Sequence, residues 1–247
     1  MNNAAMERVA LQVADGTTMD SFVARPAEPG KYPGMLVFQE AFGVNEHIRD
    51  VTQRIAREVY VAIAPELYHR TAPGFEGRYD EFSSVLPHVR AVTEAGAVDD
   101  IRAAYDWLQR DTQVAPERVG SIGFCMGGRI SFLACATVPV RAAVSLYGGG
   151  IAPSLLPRTA SLHGPLLFFW GGLDKHIGPD QIHPVLDECR RAGKAFVNVE
   201  ISDADHGFFC DARPSYNPAA AKEAWSLTRT FLETHVKGTS DSVRAAR

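Results

Sequence analysis

The stretch RVGSIGFCMGGRI, residues 118–130, decides the reading of this chain. Arg118–Gly123 is a short apolar run that predicts a buried strand, and Gly127–Ala136 predicts a helix. Only Phe124, Cys125 and Met126 lie between them, so the chain turns sharply from strand to helix. Gly123, Cys125 and Gly127 reproduce the pattern G-x-S-x-G of a nucleophile turn, with cysteine in the place of serine. Side chains at the flanking glycines would clash in so tight a turn. The sulfur stands at a helix N-terminus, where the dipole favours thiolate. A phosphate-binding loop would need Lys and Ser or Thr where Arg129 and Ile130 stand. A buried, packed thiol at a tight turn is the other reading, and the turn alone does not choose between the two.

Working outward, strands alternate with helices. Two β-rich runs, Arg8–Val13 and Ser21–Ala24, bracket the hairpin signal Asp15-Gly16. Gly34–Phe38 and Tyr60–Ala64 read as strands covered on both faces, with Asn45 capping a helix between them. Helices are expected over Phe82–Val92 and Val98–Arg110. Beyond the turn follow helix Gly127–Ala136, strands Ala142–Tyr147 and Leu166–Gly171, helix Pro179–Arg191, strand Phe196–Ile201 and helix Ala219–Thr234. This order implies one α/β domain over residues 1–238, a mostly parallel sheet with helices on both faces and no large lid domain. The polar residues 239–247 are expected to fray. In such sheets ligands bind beyond the carboxyl ends of the strands.

Composition narrows the function. The 247 residues carry 25 Lys and Arg against 29 Asp and Glu, a net charge of −4, with no basic run of the kind that tracks phosphate backbones. Nucleic acid is not an expected partner. No run reaches the roughly 18 apolar residues of a membrane span, so no membrane partner is expected either. The N-terminal residues do not read as a secretory signal, which predicts a cytoplasmic protein with its four cysteines reduced. A 26.9 kDa chain should expose about 11,000 Å² when folded, leaving a full core without disulfide or metal staples. No cofactor fingerprint occurs and the histidines show no metal-ligand spacing, so neither cofactor nor metal is expected. The oligomeric state is left open.

A thiol nucleophile needs a base, and the base an orienting acid. Asp174 follows strand Leu166–Gly171 and His206 follows strand Phe196–Ile201, both at the strand ends that share an edge with Cys125. Alone, Asp174 is a turn carboxylate and His206 an ordinary surface or core histidine. In the order nucleophile, acid, histidine, at three matching strand ends, they read together as a triad. Asp203 and Asp205 are too near His206 in sequence to reach its ring easily and are read as turn residues.

These residues, with Gln39-Glu40-Ala41-Phe42-Gly43-Val44-Asn45, Ala64-Pro65-Glu66-Leu67-Tyr68 and His206-Gly207-Phe208, resemble the dienelactone hydrolase family over nearly the whole chain. The resemblance implies a compact α/β-hydrolase fold and a Cys-His-Asp triad that hydrolyses enol-lactones. It implies that Glu40 holds the resting thiol and helps to generate the thiolate, and that the N–H groups of Met126 and Ala41 form the oxyanion hole. It also implies an arginine four residues after the triad histidine, gripping a substrate carboxylate. Cys210 stands there instead. Arg213 is the nearest replacement, and Arg78 a candidate second arginine. Phe42 is expected to line the pocket, and Tyr147 either lines it or packs in the core. Cys210 is either an oxidation partner for Cys125 or a packed thiol.

The expected reaction is acyl transfer through a thioester on a small ester or lactone. Thiolate leaves well, so the tetrahedral intermediate collapses backwards unless the substrate oxygen also leaves well. Enol and aryl esters, thioesters and activated lactones are therefore favoured over alkyl esters. A broader carboxylesterase or thioesterase on the same triad, or a non-enzymatic thiol sensor, are the alternatives. The sensor would have no need of the general base.

Overall fold

The structure, a computed structural model, describes residues 4–238. The expected frayed tail, residues 239–247, lies outside the described residues. Eight strands form one sheet in the order β1-β2-β4-β3-β5-β6-β7-β8. They are β1 (Ala4–Gln12), β2 (Thr18–Pro26), β3 (Tyr32–Phe38), β4 (Val61–Pro65), β5 (Val114–Phe124), β6 (Ala143–Leu146), β7 (Leu166–Gly171) and β8 (Phe196–Ile201). Strands β1 and β2 are antiparallel to each other, β2 is antiparallel to β4, and the remaining pairs are parallel.

The helices are α1 (Glu46–Arg57), α2 (Phe82–Ala91), α3 (Glu94–Arg110), α4 (Met126–Thr137), α5 (Pro179–Arg191) and α6 (Pro218–Leu232). The Asn45 side chain caps α1 by accepting the Ile48 N–H at 3.2 Å, as its sequence position predicts. Right-handed crossovers put α3, α4 and α5 on one face and α1 on the other. Helix α6 is tied to the end of α1 by the Arg229–Glu58 ion pair. Strands β3, β4, β6 and β7 are buried almost throughout, and Phe168, Phe169 and Trp170 lie in the core. The exposed surface is 11175 Å², close to the value expected from mass alone.

Three differences from the sequence reading have physical causes. The first two strands run longer than Arg8–Val13 and Ser21–Ala24, because backbone pairing in the hairpin continues through polar residues from Ala4↔Pro26 to Gln12↔Thr18. Helices on both faces of the sheet would bury strand β8, yet Val197, Asn198 and Glu200 are exposed: it is the last strand of the sheet and pairs only with β7. Helical turns at Leu156–Ser161 and Glu233–Lys237 have no clear periodic signal in sequence.

After β3 the chain moves to β4 on one side, then returns past β3 to β5 on the other. The strand order therefore reverses between β3 and β5. At such a point the loops from neighbouring strand ends diverge and leave a crevice. The segments leaving β3 and β5 begin with Gln39-Glu40-Ala41 and with Cys125.

Candidate active site

Cys125 joins β5 to α4 with φ 54° and ψ −119°, a backbone conformation few side chains adopt. Its neighbours impose that conformation. The Cys125 N–H donates to Leu146 O at 3.0 Å, and Cys125 O accepts the Gly128 N–H at 2.9 Å. A Cβ on Gly123 would lie 1.8 Å from the Gly127 carbonyl oxygen, and one on Gly127 would lie 2.2 Å from Phe38 O. The glycines flanking the turn are thus required by backbone-to-backbone approach, as their sequence pattern suggests.

The strand-end residues converge. His206 Nε2 lies 3.1 Å from Cys125 Sγ, and His206 Nδ1 lies 2.7 Å from Asp174 Oδ2. Asp174 Oδ1 accepts the N–H groups of His176 at 2.8 Å and Ile177 at 3.1 Å, which fixes the carboxylate. Burial opposes a charge on His206, but the bonds to Asp174 and Cys125 outweigh it and push its pKa up to about 10. For Asp174 burial likewise opposes charge, and the bond to His206 reverses the balance, holding the carboxyl below its ordinary value.

Tyr147 is not in the cavity wall. It is fully buried at φ 38°, with its ring 5.1 Å from that of His206 and 5.3 Å from that of Phe208, so it supports the histidine from beneath. Burial pushes its phenol well above its ordinary pKa.

Cys125 and His206 open into a cavity of about 790 Å³. Phe42 forms part of the apolar wall with Ala41, Phe82 and Ile177, and two guanidinium groups, Arg129 and Arg213, also face it. Arg213 Nη1 bonds Glu40 Oε1 at 3.2 Å and its guanidinium lies over the Phe42 ring. Glu40 is fully buried. Its carboxylate is taken up by Arg213, and the hydrogen bond formed by the Cys125 thiol goes to His206, not to Glu40. Arg78 lies away from the cavity: it is exposed and paired with Asp80 at 2.7 Å. Cys210 is buried with Sγ 3.2 Å from the Tyr79 hydroxyl, and all four cysteines are free thiols.

Met126 opens α4 directly after Cys125, and Ala41 lies in the loop after β3. Among the described residues neither N–H donates a hydrogen bond. The Ala41 carbonyl accepts the Tyr68 hydroxyl at 2.8 Å, which anchors that loop. Arg129 and His176 are among the wall residues that escape the sequence reading. Arg129 follows Cys125 by four residues, one helical turn, a spacing that would have revealed it. His176, in a loop with no motif around it, lines the cavity with its ring 6.0 Å from that of His206.

The profile described as "Dienelactone hydrolase family" matches residues 19–236. A protein of Synechocystis sp. named "Putative carboxymethylenebutenolidase" is 40% identical over 87% of this chain and 92% of its own length. One of the same name from Methylorubrum extorquens is 36% identical over 92% of this chain and 80% of its own length. The crystal structure titled "Putative Dienelactone Hydrolase from Klebsiella pneumoniae" superposes with a TM-score of 0.84 at 31% identity, covering 95% of this chain and all of the other. Among the described residues no helix is long and apolar enough to cross a membrane.

Proposed function

The chain belongs to the dienelactone hydrolase family and is a hydrolase of ester or lactone bonds, and from that premise we propose that it cleaves activated carboxylic esters or enol-lactones through a thioester on Cys125. The observation that carries this reading is the unbroken hydrogen-bond chain Cys125–His206–Asp174 opening into the cavity.

In the proposed reaction, a carbonyl carbon docks over Sγ and its oxygen points between the N–H groups of Met126 and Ala41. Both donors are free to receive the developing oxyanion, and one opens a helix whose dipole adds to the effect. Attack by the thiolate leaves His206 as imidazolium, held by Asp174, ready to protonate the departing enolate or phenolate. Water then enters, His206 takes its proton, and the thioester is hydrolysed.

Glu40 has a positioning role in this scheme. Its carboxylate anchors Arg213 in the wall, where the remaining guanidinium N–H groups can take a substrate carboxylate. Arg129 provides a second positive charge in the cavity wall. Together they supply what Cys210 cannot at the position where the family resemblance implies arginine. This favours an acidic enol-lactone or ester over a neutral one. A broader esterase remains the second reading, favoured by the apolar wall of Phe42, Phe82 and Ile177.

The test is steady-state hydrolysis of a carboxylate-bearing enol-lactone and of a neutral aryl ester of similar size, with Cys125→Ala as the blank. Turnover that vanishes in the variant and favours the lactone upholds the proposal. Turnover that survives in Cys125→Ala overturns the nucleophile, and preference for the neutral ester overturns the substrate class.

A further inference from the structure

We propose that Glu40, His47 and Cys210 form a second site, buried beside the cavity, for a borderline-soft divalent cation such as Zn²⁺. A carboxylate oxygen, a ring nitrogen and a sulfur from these three residues all lie within 4.8 Å of one another. Glu40 and Cys210 are 0% exposed and His47 is 5% exposed. Glu40 Oε2 and both ring nitrogens of His47 make no hydrogen bond. Asp211 Oδ1 stands 3.7 Å from His47 Nδ1, beyond hydrogen-bonding reach. A buried carboxylate oxygen and a bare imidazole without partners are costly, and both costs fall away if the atoms share a ligand.

The chemistry of the donor set selects the ligand. Nitrogen, sulfur and carboxylate oxygen together suit zinc rather than calcium or magnesium, which take oxygen. Zinc bonds of about 2.0–2.3 Å place ligand atoms roughly 3.3–3.8 Å apart, so the side chains need to draw in by about 1 Å. Glu40 Oε1 stays on Arg213 while Oε2 turns to the metal. That guanidinium opposes a cation, and the second negative charge comes from Cys210. As the cation binds, the S–H bond of Cys210 breaks, an S–metal bond forms, and the proton leaves to water. The Tyr79 hydroxyl on Sγ, itself held by Asn45, supplies the outer support such ligands use.

An entry route adjoins the cluster. A cavity of about 700 Å³, separate from the one over Cys125, is lined by His47 and Tyr79 together with Glu46, Asp50, Glu76 and Asp211. Arg49 and Arg54 pair with three of these carboxylates and neutralise them in part.

The experiment uses full-length Cys125→Ala protein, so that the proposed catalytic thiol cannot itself bind metal. After chelator treatment and dialysis, the protein is titrated anaerobically with Co²⁺ alone. One equivalent should bind with a sulfur-to-cobalt charge-transfer band in the near ultraviolet, and Zn²⁺ should bleach it. Cys210→Ser in the same background should abolish the band, and His47→Gln should weaken binding at least ~10-fold. No band in Cys125→Ala, or a band that survives Cys210→Ser, overturns the proposal. Should Cys210→Ser fail to fold, a zinc-edge anomalous map of soaked Cys125→Ala crystals decides. A peak among the three side chains upholds the site, and a peak elsewhere or none overturns it.

Discussion

Gly127→Ala tests the reaction geometry without touching any proposed catalytic side chain. The new Cβ would lie 2.2 Å from Phe38 O and 2.5 Å from Gln39 O, where ordinary contact begins near 3.4 Å. The shortfall of about 1.2 Å is against backbone atoms of the Phe38–Gln39 segment, so a side-chain rotation cannot relieve it. The start of α4 has to move away from the segment leaving β3. Met126 rides on the first of these and Ala41 on the second, so their N–H groups separate by a comparable distance. A misplacement of this size costs about 100-fold in rate, and overpacking costs about 1–3 kcal/mol in stability. The assay pairs kcat/KM on an aryl ester with alkylation of Cys125 by iodoacetamide and a thermal melt. We expect a folded protein with a lower Tm and near-normal alkylation, but with turnover down by about two orders of magnitude. A folded variant with unchanged kcat/KM would refute the claim that the α4–β3 approach sets the oxyanion geometry.

The remaining expectations concern charge and leaving group. His206 should titrate near pH 10 by NMR, against an ordinary value of 6.5, and Asp174→Asn should bring the midpoint down. Because the folded value is raised, the stability that this charge contributes is fully present below pH 6.5 and is lost as pH rises through about 10. Arg213→Leu strands the Glu40 carboxylate and should cost about 3 kcal/mol in a chemical melt, largely recovered by adding Glu40→Gln. Arg129→Ala should raise KM for a carboxylate-bearing lactone by about 10-fold and leave a neutral aryl ester within about 2-fold, read from paired Michaelis curves. A matched alkyl ester should turn over far more slowly than the aryl ester, and equal rates would contradict the thioester argument.

The residues that proved legible in sequence share one property: each lies where a strong pattern stops. Cys125, Asp174 and His206 follow predicted strands at the same sheet edge, and α5 spans Pro179–Arg191 in sequence and structure alike because a proline opens it and apolar spacing continues to its end. Partnerships that depend on folding did not show. Glu40 and Arg213 are 173 positions apart, and nothing in either segment announces the other. Arg78 looked available because its pairing with Asp80, two residues on, leaves no trace in hydrophobic pattern. Tyr147 follows a strand as Cys125, Asp174 and His206 do, yet its side chain turns into the core rather than out. The exposure of strand β8 did not show either, because sequence does not say which strand will be last in the sheet.

His206, Cys210 and Arg213 all hang on the single loop between β8 and α6, and that loop is closed upon itself where the Asn217 N–H donates to Phe208 O at 3.0 Å. The proposed general base and one of the two wall cations therefore vary together: in the proposed reaction, a change that retunes substrate preference through this loop also disturbs proton transfer. Other lining residues, Phe82 and Val89 on α2, Ile177 just before α5 and Gln181 within it, carry no proposed acid, base or nucleophile. Selection for new substrates has an unencumbered surface there, and a library confined to Phe82, Val89, Ile177 and Gln181 should diversify specificity at the least cost in turnover.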